Sequence, residues 1–294
     1  MTTEQTTSIP TVDLNDGRSI PQLGFGVFQV SEEDTAPSVR CALQTGYRSI
    51  DTAAAYGNEA EVGEAIRQSG LDRDEVFLTT KLWNDDQGYD AAFRAFEHSL
   101  ERLGFDQVDL YLIHWPAPGR GQYVETWRAL CELKRDGRAR SIGVSNFTVE
   151  NLERVIDDSG VVPALNQIEL HPRLIQSELR RFHSEHGIAT EAWSPLAQGA
   201  AFKEPAVAQV AVKHGRTLAQ VILRWHLQSG TIVIPKSQNP ERMKENMMIF
   251  DFALDQTDMA AIAGLDDPKG SIGPDPNTFQ GRSAVQAMID TYGD

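Results

Sequence analysis

Four titratable side chains that could together deliver a proton lie at the ends of short apolar runs. Asp51, Lys81 and His114 each directly follow such a run, and Tyr56 lies one loop beyond Asp51. If the runs are parallel strands, the loops after them share one rim, and the four groups meet there. A carboxylate, an ammonium and an imidazole beside a phenol can make that phenol act as an acid near neutral pH. Taken singly, each residue would fit an ordinary structural role, such as a cap or a solvated lysine.

Eight short apolar runs alternate with segments whose apolar residues have helical spacing. The runs, predicted as strands, are Leu23–Phe28, Tyr47–Ile50, Val76–Thr80, Val108–Ile113, Arg140–Val144, Leu165–Glu169, Ala189–Trp193 and Thr231–Ile234. The predicted helices are Ala36–Leu43, Glu59–Arg67, Tyr89–Leu103, Tyr123–Lys134, Val149–Ile156, Ser177–His186 and Leu218–Leu227. The runs follow one another at intervals of roughly 25 to 40 residues, which indicates repeated βα units.

Eight βα units in a chain of 294 residues predict an α/β fold of the TIM-barrel type, (β/α)8, as a single domain over 1–294. An open doubly wound sheet is the alternative, but Gly24-Phe25-Gly26 is too short for its phosphate-binding turn. A β-hairpin is expected around Asn15-Asp16-Gly17, after a flexible tail of residues 1–8. The Pro- and Gly-rich segment Asp267–Thr278 predicts an irregular C-terminal piece that borders a pocket.

The composition excludes several classes of partner. A net charge of -15 and a pI of about 4.9 argue against nucleic acid and against an anionic membrane surface. Cys41 and Cys131 lie far apart in predicted helices, so no disulfide framework is expected and a reducing cytoplasm fits. The N-terminus lacks the basic and apolar regions of a signal peptide, and no apolar run is long enough to span a bilayer.

Several long motifs, in the same order along the chain, resemble signatures of the aldo-keto reductases. They are Gly46–Ala53 with Tyr56–Glu59, Val108–Pro116, Gly143–Phe147, Asn166–Glu169, Ser194–Leu196, and Ile234–Ser237 with Pro240–Arg242 and Glu245–Asn246. Within the family the chain most resembles the bacterial 2,5-diketo-D-gluconate reductases. Trp193, where many relatives have tyrosine, and the sequence Ile272–Pro276 support that placement.

The resemblance implies a reductase in which Tyr56 donates the proton. Hydride addition to a carbonyl leaves negative charge on oxygen, which a nearby acid must neutralise. A free phenol has a pKa near 10, and the Lys81 ammonium is expected to lower it, with Asp51 holding that ammonium in place. Neutral His114 is expected to donate to the substrate oxygen and orient it.

The cofactor that the resemblance implies is NADPH, with no metal. Ser145, Asn146 and Gln167 would bind the nicotinamide carboxamide, and Trp193 would stack on the ring. Lys236, Ser237 and Arg242 would bind a phosphate on the adenosine ribose, which favours NADPH over NADH. Further cofactor contacts are expected from Ser194, Leu196, Glu245 and Asn246. Because Gln238 and Asn239 stand where some relatives carry basic residues, the strength of that preference stays open.

The substrate implied is a small aldehyde or ketone, such as a dicarbonyl, a keto-sugar or a keto-acid. Phe25, Trp83 and Trp115 would form the apolar walls of its pocket, together with Trp193, and Gln198 would add a polar contact. Two other functions remain as alternatives: a non-catalytic nicotinamide-binding regulatory subunit, and a barrel enzyme that uses Lys81 as a Schiff-base lysine. A cytoplasmic monomer is expected.

Overall fold

The computed structural model describes residues 9–281 of the chain. The tail predicted for residues 1–8 lies outside the described residues. Two short strands, β1 (Thr11–Asp13) and β2 (Ser19–Pro21), pair antiparallel, which confirms the predicted hairpin. Leu14 and Ile20 pack against residues near the starts of the barrel strands, such as Leu165. The hairpin therefore covers the amino-terminal end of the barrel.

Eight parallel strands form the central sheet, and each overlaps a predicted apolar run. They are β3 (Phe25–Gly26), β4 (Ser49–Asp51), β5 (Phe77–Leu82), β6 (Val108–Ile113), β7 (Ala139–Ser145), β8 (Leu165–Glu169), β9 (Ala189–Trp193) and β10 (Ile232–Val233). Each pairs with the next along the chain. A parallel bridge between Leu23 and Val233 joins the first strand to the last. The prediction of a (β/α)8 barrel is confirmed.

Ten helices accompany these strands in the part of the chain that the structure describes. They are α1 (Glu32–Thr45), α2 (Glu59–Arg67), α3 (Tyr89–Leu103), α4 (Tyr123–Arg135), α5 (Val149–Ser159), α6 (Ser177–His186), α7 (Pro205–His214), α8 (Leu218–Gln228), α9 (Pro240–Met247) and α10 (Gln256–Ala263). Helix α1 begins earlier than predicted because the Ser31 side chain caps it, accepting from the Asp34 backbone N–H at 3.2 Å.

Three of these helices, α7, α9 and α10, were not predicted from the sequence. Helix α9 is short, half of its residues are charged, and only Met243 and Asn246 are buried, so it has no apolar stripe to detect. Helix α7 has the opposite pattern, with alanine and valine on most of its surface. Among residues 9–281, no helix is both long and apolar enough to cross a membrane.

Candidate active site

The carboxyl ends of the strands open into a cavity of about 470 Å³. Asp51 ends β4, Lys81 lies next to last in β5, and His114 directly follows β6. Tyr56 closes a short 3-10 turn, Ala54–Tyr56, after β4. The structure thus brings together at one rim the four groups that the sequence pattern singled out.

Lys81 is the centre of this group, and its side chain is fully buried. Its Nζ donates to Asp51 Oδ1 at 2.6 Å, to the Thr52 carbonyl at 2.9 Å and to the Tyr56 hydroxyl at 3.3 Å. A buried ammonium is tolerated only when it is paired and hydrogen-bonded, and here three oxygens satisfy its three hydrogens. Burial lowers the pKa of Lys81, but Asp51 and Tyr56 more than offset it, so the net shift is upward. Lys81 therefore stays charged.

The net pKa shift of Tyr56 differs from the sequence-based expectation. Burial raises the pKa of the phenol, and the Asp51 carboxylate adds to that rise. The Lys81 ammonium lowers the pKa, as expected, but it does not overcome burial, so the net shift is upward. Tyr56 consequently keeps its proton at neutral pH, which suits a group that must donate one, and Lys81 limits the cost of losing it.

His114 lies against this phenol and is neutral. Its ring packs edge-on to Tyr56, with ring centroids 5.6 Å apart, and edge-on to Trp83 at 5.2 Å. Burial, and next the Lys81 ammonium, hold the pKa of His114 well below its ordinary value. A neutral imidazole in the cavity wall can donate one hydrogen bond to a substrate oxygen.

One wall of the cavity is polar and already internally hydrogen-bonded. The Ser145 hydroxyl donates to the Gln167 carbonyl at 2.8 Å. The Asn146 amide donates to the His114 carbonyl at 2.9 Å and accepts from the Trp193 indole N–H at 2.7 Å. These bonds fix the orientation of the Trp193 ring at the cavity surface. Ser194 and Leu196, which follow β9, line the same wall.

Two cations lie at another part of the cavity wall. Lys236 and Arg242 both line the cavity, and neither side chain is paired with a carboxylate among residues 9–281. Unpaired cations in a protein of net charge -15 fit an anionic ligand. Ser237 is near them in sequence, but its hydroxyl accepts from the Asn239 backbone N–H at 3.2 Å and does not line the cavity.

Helix α9 carries Glu245 and Asn246, which were also expected to contact the cofactor. The Glu245 carboxylate accepts from the Thr217 hydroxyl at 2.7 Å, and Asn246 is buried within the helix packing. Neither lines the cavity as the structure describes it.

Aromatic side chains form the apolar wall. Trp83 and Trp115 line the cavity and pack with Phe279, whose ring centroid lies 4.6 Å from that of Trp115. Gln198 also lines the cavity. Phe25 does not, because its side chain points into the core and packs edge-on against Tyr47 at 5.8 Å. Phe28, three residues later, takes that place and packs against Tyr56.

The irregular C-terminal segment (residues 264–281) roofs the cavity, and contacts along its length hold it. At its start, the Arg173 carbonyl accepts from the Asp267 backbone N–H at 3.1 Å. The buried Glu169 carboxylate accepts from the Ile272 and Gly273 backbone N–H groups at 2.6 and 3.0 Å, and from the Ser271 hydroxyl. At the other end, Arg120 donates to the Gln280 carbonyl at 2.9 Å. Pro274 and Phe279 reach the cavity between the Glu169 and Arg120 contacts.

The sequence-based prediction missed Phe279, Phe202 and Glu191. Phe279 and Phe202 line the cavity from segments without regular spacing. Glu191 lies in β9, where a lone carboxylate in an apolar strand would ordinarily be placed on the solvent side. Within residues 9–281, no group of three histidine, cysteine or acidic side chains could hold a metal ion, and both cysteines are free.

Comparison with known proteins agrees with this geometry. The sequence profile of the aldo/keto reductase family matches residues 22–267. An aldo-keto reductase of Mycobacterium sp. (strain JLS) is 59% identical over 92% of this chain and 98% of its own length. A methylglyoxal reductase of Yersinia pestis is 51% identical over 92% of this chain and 97% of its own length.

Solved structures share the fold. A variant of Gox0644 in complex with NADPH superposes with a TM-score of 0.90, at 51% identity, over 93% of this chain and all of that one. A putative 2,5-diketo-D-gluconic acid reductase B gives a TM-score of 0.85 at 40% identity, over 90% of this chain and 94% of that one. The chain belongs to the aldo/keto reductase family, the oxidoreductases that act on carbonyl groups, and the predicted likeness to 2,5-diketogluconate reductases is confirmed.

Proposed function

We propose that this protein reduces small aldehydes and ketones with NADPH, and that Tyr56 donates the proton. The observation that carries the proposal is the contact of Lys81 Nζ with the Tyr56 hydroxyl at 3.3 Å, beside a neutral His114 in one cavity. A phenol that keeps its proton, next to an ammonium that stabilises its anion, is equipped to protonate a developing alkoxide. His114 holds the carbonyl oxygen within reach of that phenol.

The cavity wall fits a nicotinamide dinucleotide phosphate. NADPH supplies the hydride when bound. Trp193, oriented by its hydrogen bond to Asn146, offers an aromatic face, and Gln167 lies at the same wall. Lys236 and Arg242 offer two cations for a phosphate, with Ser237 beside them in sequence. Glu245 and Asn246 lie on the same helix as Arg242, in position to approach the adenine end.

The aromatic walls suit a small substrate with limited polarity. Trp83, Trp115 and Phe279 leave room for a short carbon chain beside the polar rim, and Gln198 offers one hydrogen-bonding group. The name of the Yersinia pestis relative makes methylglyoxal the first substrate to test. The free cysteines and acidic charge agree with a cytoplasmic enzyme, which we further propose is a monomer.

A substrate panel tests the proposal. Wild-type protein with NADPH should reduce methylglyoxal and related dicarbonyls, and the loss of NADPH absorbance measures the rate. The kcat/KM values are then compared with those for keto-sugars and keto-acids. Tight NADPH binding without turnover on any carbonyl would instead favour the regulatory-subunit alternative. Trapping of substrate on Lys81 by borohydride would favour the Schiff-base alternative.

Cofactor choice is tested at Arg242. Arg242→Ala should weaken NADPH binding at least tenfold and leave NADH binding nearly unchanged, because a charge-assisted contact to the extra phosphate is lost. Isothermal titration of both cofactors measures this, and Arg216→Ala, which breaks an ion pair with Asp251 away from the cavity, is the matched control. An equal loss for both cofactors would show that Arg242 does not read the phosphate.

A further inference from the structure

Glu191 is a buried carboxyl group in the barrel interior that the proposed mechanism does not use. It lies in β9 with 1% of its surface exposed. Its Oε2 accepts a hydrogen bond from Gln167 Nε2 at 2.6 Å. The same nitrogen donates to Asp51 Oδ2 at 2.9 Å, and the other oxygen of Asp51 accepts from Lys81. One amide nitrogen thus joins the catalytic carboxylate to a second acid.

This arrangement determines which way the Gln167 amide faces. An amide nitrogen has two hydrogens, and here each is directed to a different carboxyl group. The reversed amide would place its carbonyl oxygen against the ionised Asp51 carboxylate and leave the buried Asp51 Oδ2 without this donor. The Gln167 oxygen is therefore turned away from Asp51 and Glu191, and Gln167 lines the cavity.

We propose that Glu191 is a positioning residue for the cofactor. Together with Asp51 it engages both hydrogens of the Gln167 amide, so that the Gln167 oxygen is left to accept from the –NH2 of the nicotinamide carboxamide. The inference rests on the proposed use of NADPH. It adds a residue that touches neither cofactor nor substrate and acts through Gln167.

The protonation state of Glu191 is compatible with this role. Burial, together with the nearby Asp51 carboxylate, raises the pKa of Glu191 to about 8, while Gln167 and Lys81 lower it. The acid is therefore mainly neutral at pH 7, and a neutral carboxyl group still accepts a hydrogen bond. At pH 7, Glu191 therefore adds no second negative charge to that of Asp51 near the Tyr56 hydroxyl.

A cofactor analogue tests the role directly. In 3-acetylpyridine adenine dinucleotide phosphate a methyl group replaces the carboxamide –NH2, so the contact with the Gln167 oxygen is lost. Wild-type protein should bind NADP+ about tenfold more tightly than the analogue, the value of one hydrogen bond. In Glu191→Met, which removes the acceptor at similar volume, the ratio should fall to about threefold or less. Glu191→Gln keeps an acceptor oxygen and should keep the wild-type ratio.

The results distinguish failure of the role proposed for Glu191 from failure of the proposed cofactor. An unchanged ratio in Glu191→Met, or an equal fall in Glu191→Gln, would overturn the proposal, as would a wild-type ratio near one. Failure of the wild type to bind NADP+ at all would instead refute the proposed cofactor. If Glu191→Met does not fold, the NMR signals of the Gln167 side-chain amide in the wild type, identified by their absence in Gln167→Met, decide the question. Both hydrogens should be protected from exchange, and an unprotected amide contradicts the proposal.

Discussion

In the proposed reaction, Tyr56 keeps its proton because it is partly buried in the cavity wall, and it can lose that proton because Lys81 is 3.3 Å away. Burial and the nearby ammonium act at different stages of the proposed reaction. Burial prevents loss of the proton to solvent before substrate arrives, and the ammonium lowers the energy of the phenolate once the proton moves. Asp51 keeps Lys81 in position, and the pairing lets a charged lysine remain in the barrel interior.

His114 should remain neutral over the whole working pH range. Since burial and Lys81 hold its pKa well below the ordinary value, its protonation should not limit the reaction between pH 6 and pH 8. We expect kcat/KM for methylglyoxal to show no acid-side loss near pH 6.5, measured with NADPH saturating. A fall near pH 6.5 that disappears in His114→Gln would contradict this assignment.

The four rim residues could be predicted because each lies at the end of a strand or in the turn just after it, and the strands have clear apolar runs. Gln167 could be assigned because it lies in the motif Asn166–Glu169, which resembles a signature of the aldo-keto reductases. Glu191 could not, because which face of a barrel strand points inward depends on the register of its neighbours, which one sequence does not reveal. The same difficulty explains Phe25, whose strand directs it to the core, while Phe28 lies beyond the strand end at the cavity.

Among the larger elements, the C-terminal segment determines how closed the cavity is. Glu169 holds its middle through two backbone N–H groups, and Arg120 holds the end near Gln280. Gly273 is required at the Glu169 contact, since a Cβ there would come within 2.5 Å of the Trp193 ring. The position of Phe279 therefore depends on contacts between residues more than 100 apart in sequence, which is why local patterns did not reveal it.

Weakening the Glu169 contact should affect substrate more than cofactor. Glu169→Gln replaces an anionic acceptor of several hydrogen bonds by a neutral one, which weakens each of them. We expect KM for methylglyoxal to rise about three- to tenfold, with the Kd of NADPH changed less than twofold. Arg128→Ala, which removes an exposed ion pair with Asp158, is the control and should change neither value. A parallel rise in the NADPH Kd would show that the segment does not act on the substrate side alone.

The free energy of unfolding of the whole molecule should depend on pH through Glu191, because its pKa differs between the folded and unfolded states. The folded-state pKa of Glu191 is about 8, against roughly 4.3 for glutamate in an unfolded chain. Between those values the folded state holds the proton and the unfolded state does not, so the free energy of unfolding falls as pH rises. The stabilisation that the Glu191 carboxyl group contributes is fully present below its unfolded-state pKa of roughly 4.3 and is lost by about pH 8.

Glu191→Gln removes this dependence and leaves the other titrating groups in place. Its melting temperature should rise relative to that of the wild type from pH 5 to pH 8, and the gap should then stay constant. A rise on the order of 10 °C is expected, since three pH units correspond to about 4 kcal/mol and about 1 kcal/mol shifts Tm by roughly 2–4 °C in domains of about 150–250 residues. Scanning calorimetry at several pH values measures the gap, and a gap that does not change with pH contradicts the assigned pKa.

The barrel as a whole was predictable because eight regularly spaced βα units admit few arrangements. Its closure, through the bridge between Leu23 and Val233, follows from that count. Helices α7, α9 and α10 were harder to predict, because they come after β9, where the regular βα alternation gives way to extra segments.

The central claim, that Tyr56 is the acid, is tested most directly by Tyr56→Phe. The variant removes one hydroxyl and leaves the ring that packs against Phe28 and His114. With NADPH and methylglyoxal, kcat should fall about 10²- to 10⁴-fold, the usual contribution of a positioned general acid. The Kd of NADPH, titrated without substrate, should stay within twofold of the wild-type value. A kcat close to that of the wild type, in a folded variant that binds NADPH, would contradict the account.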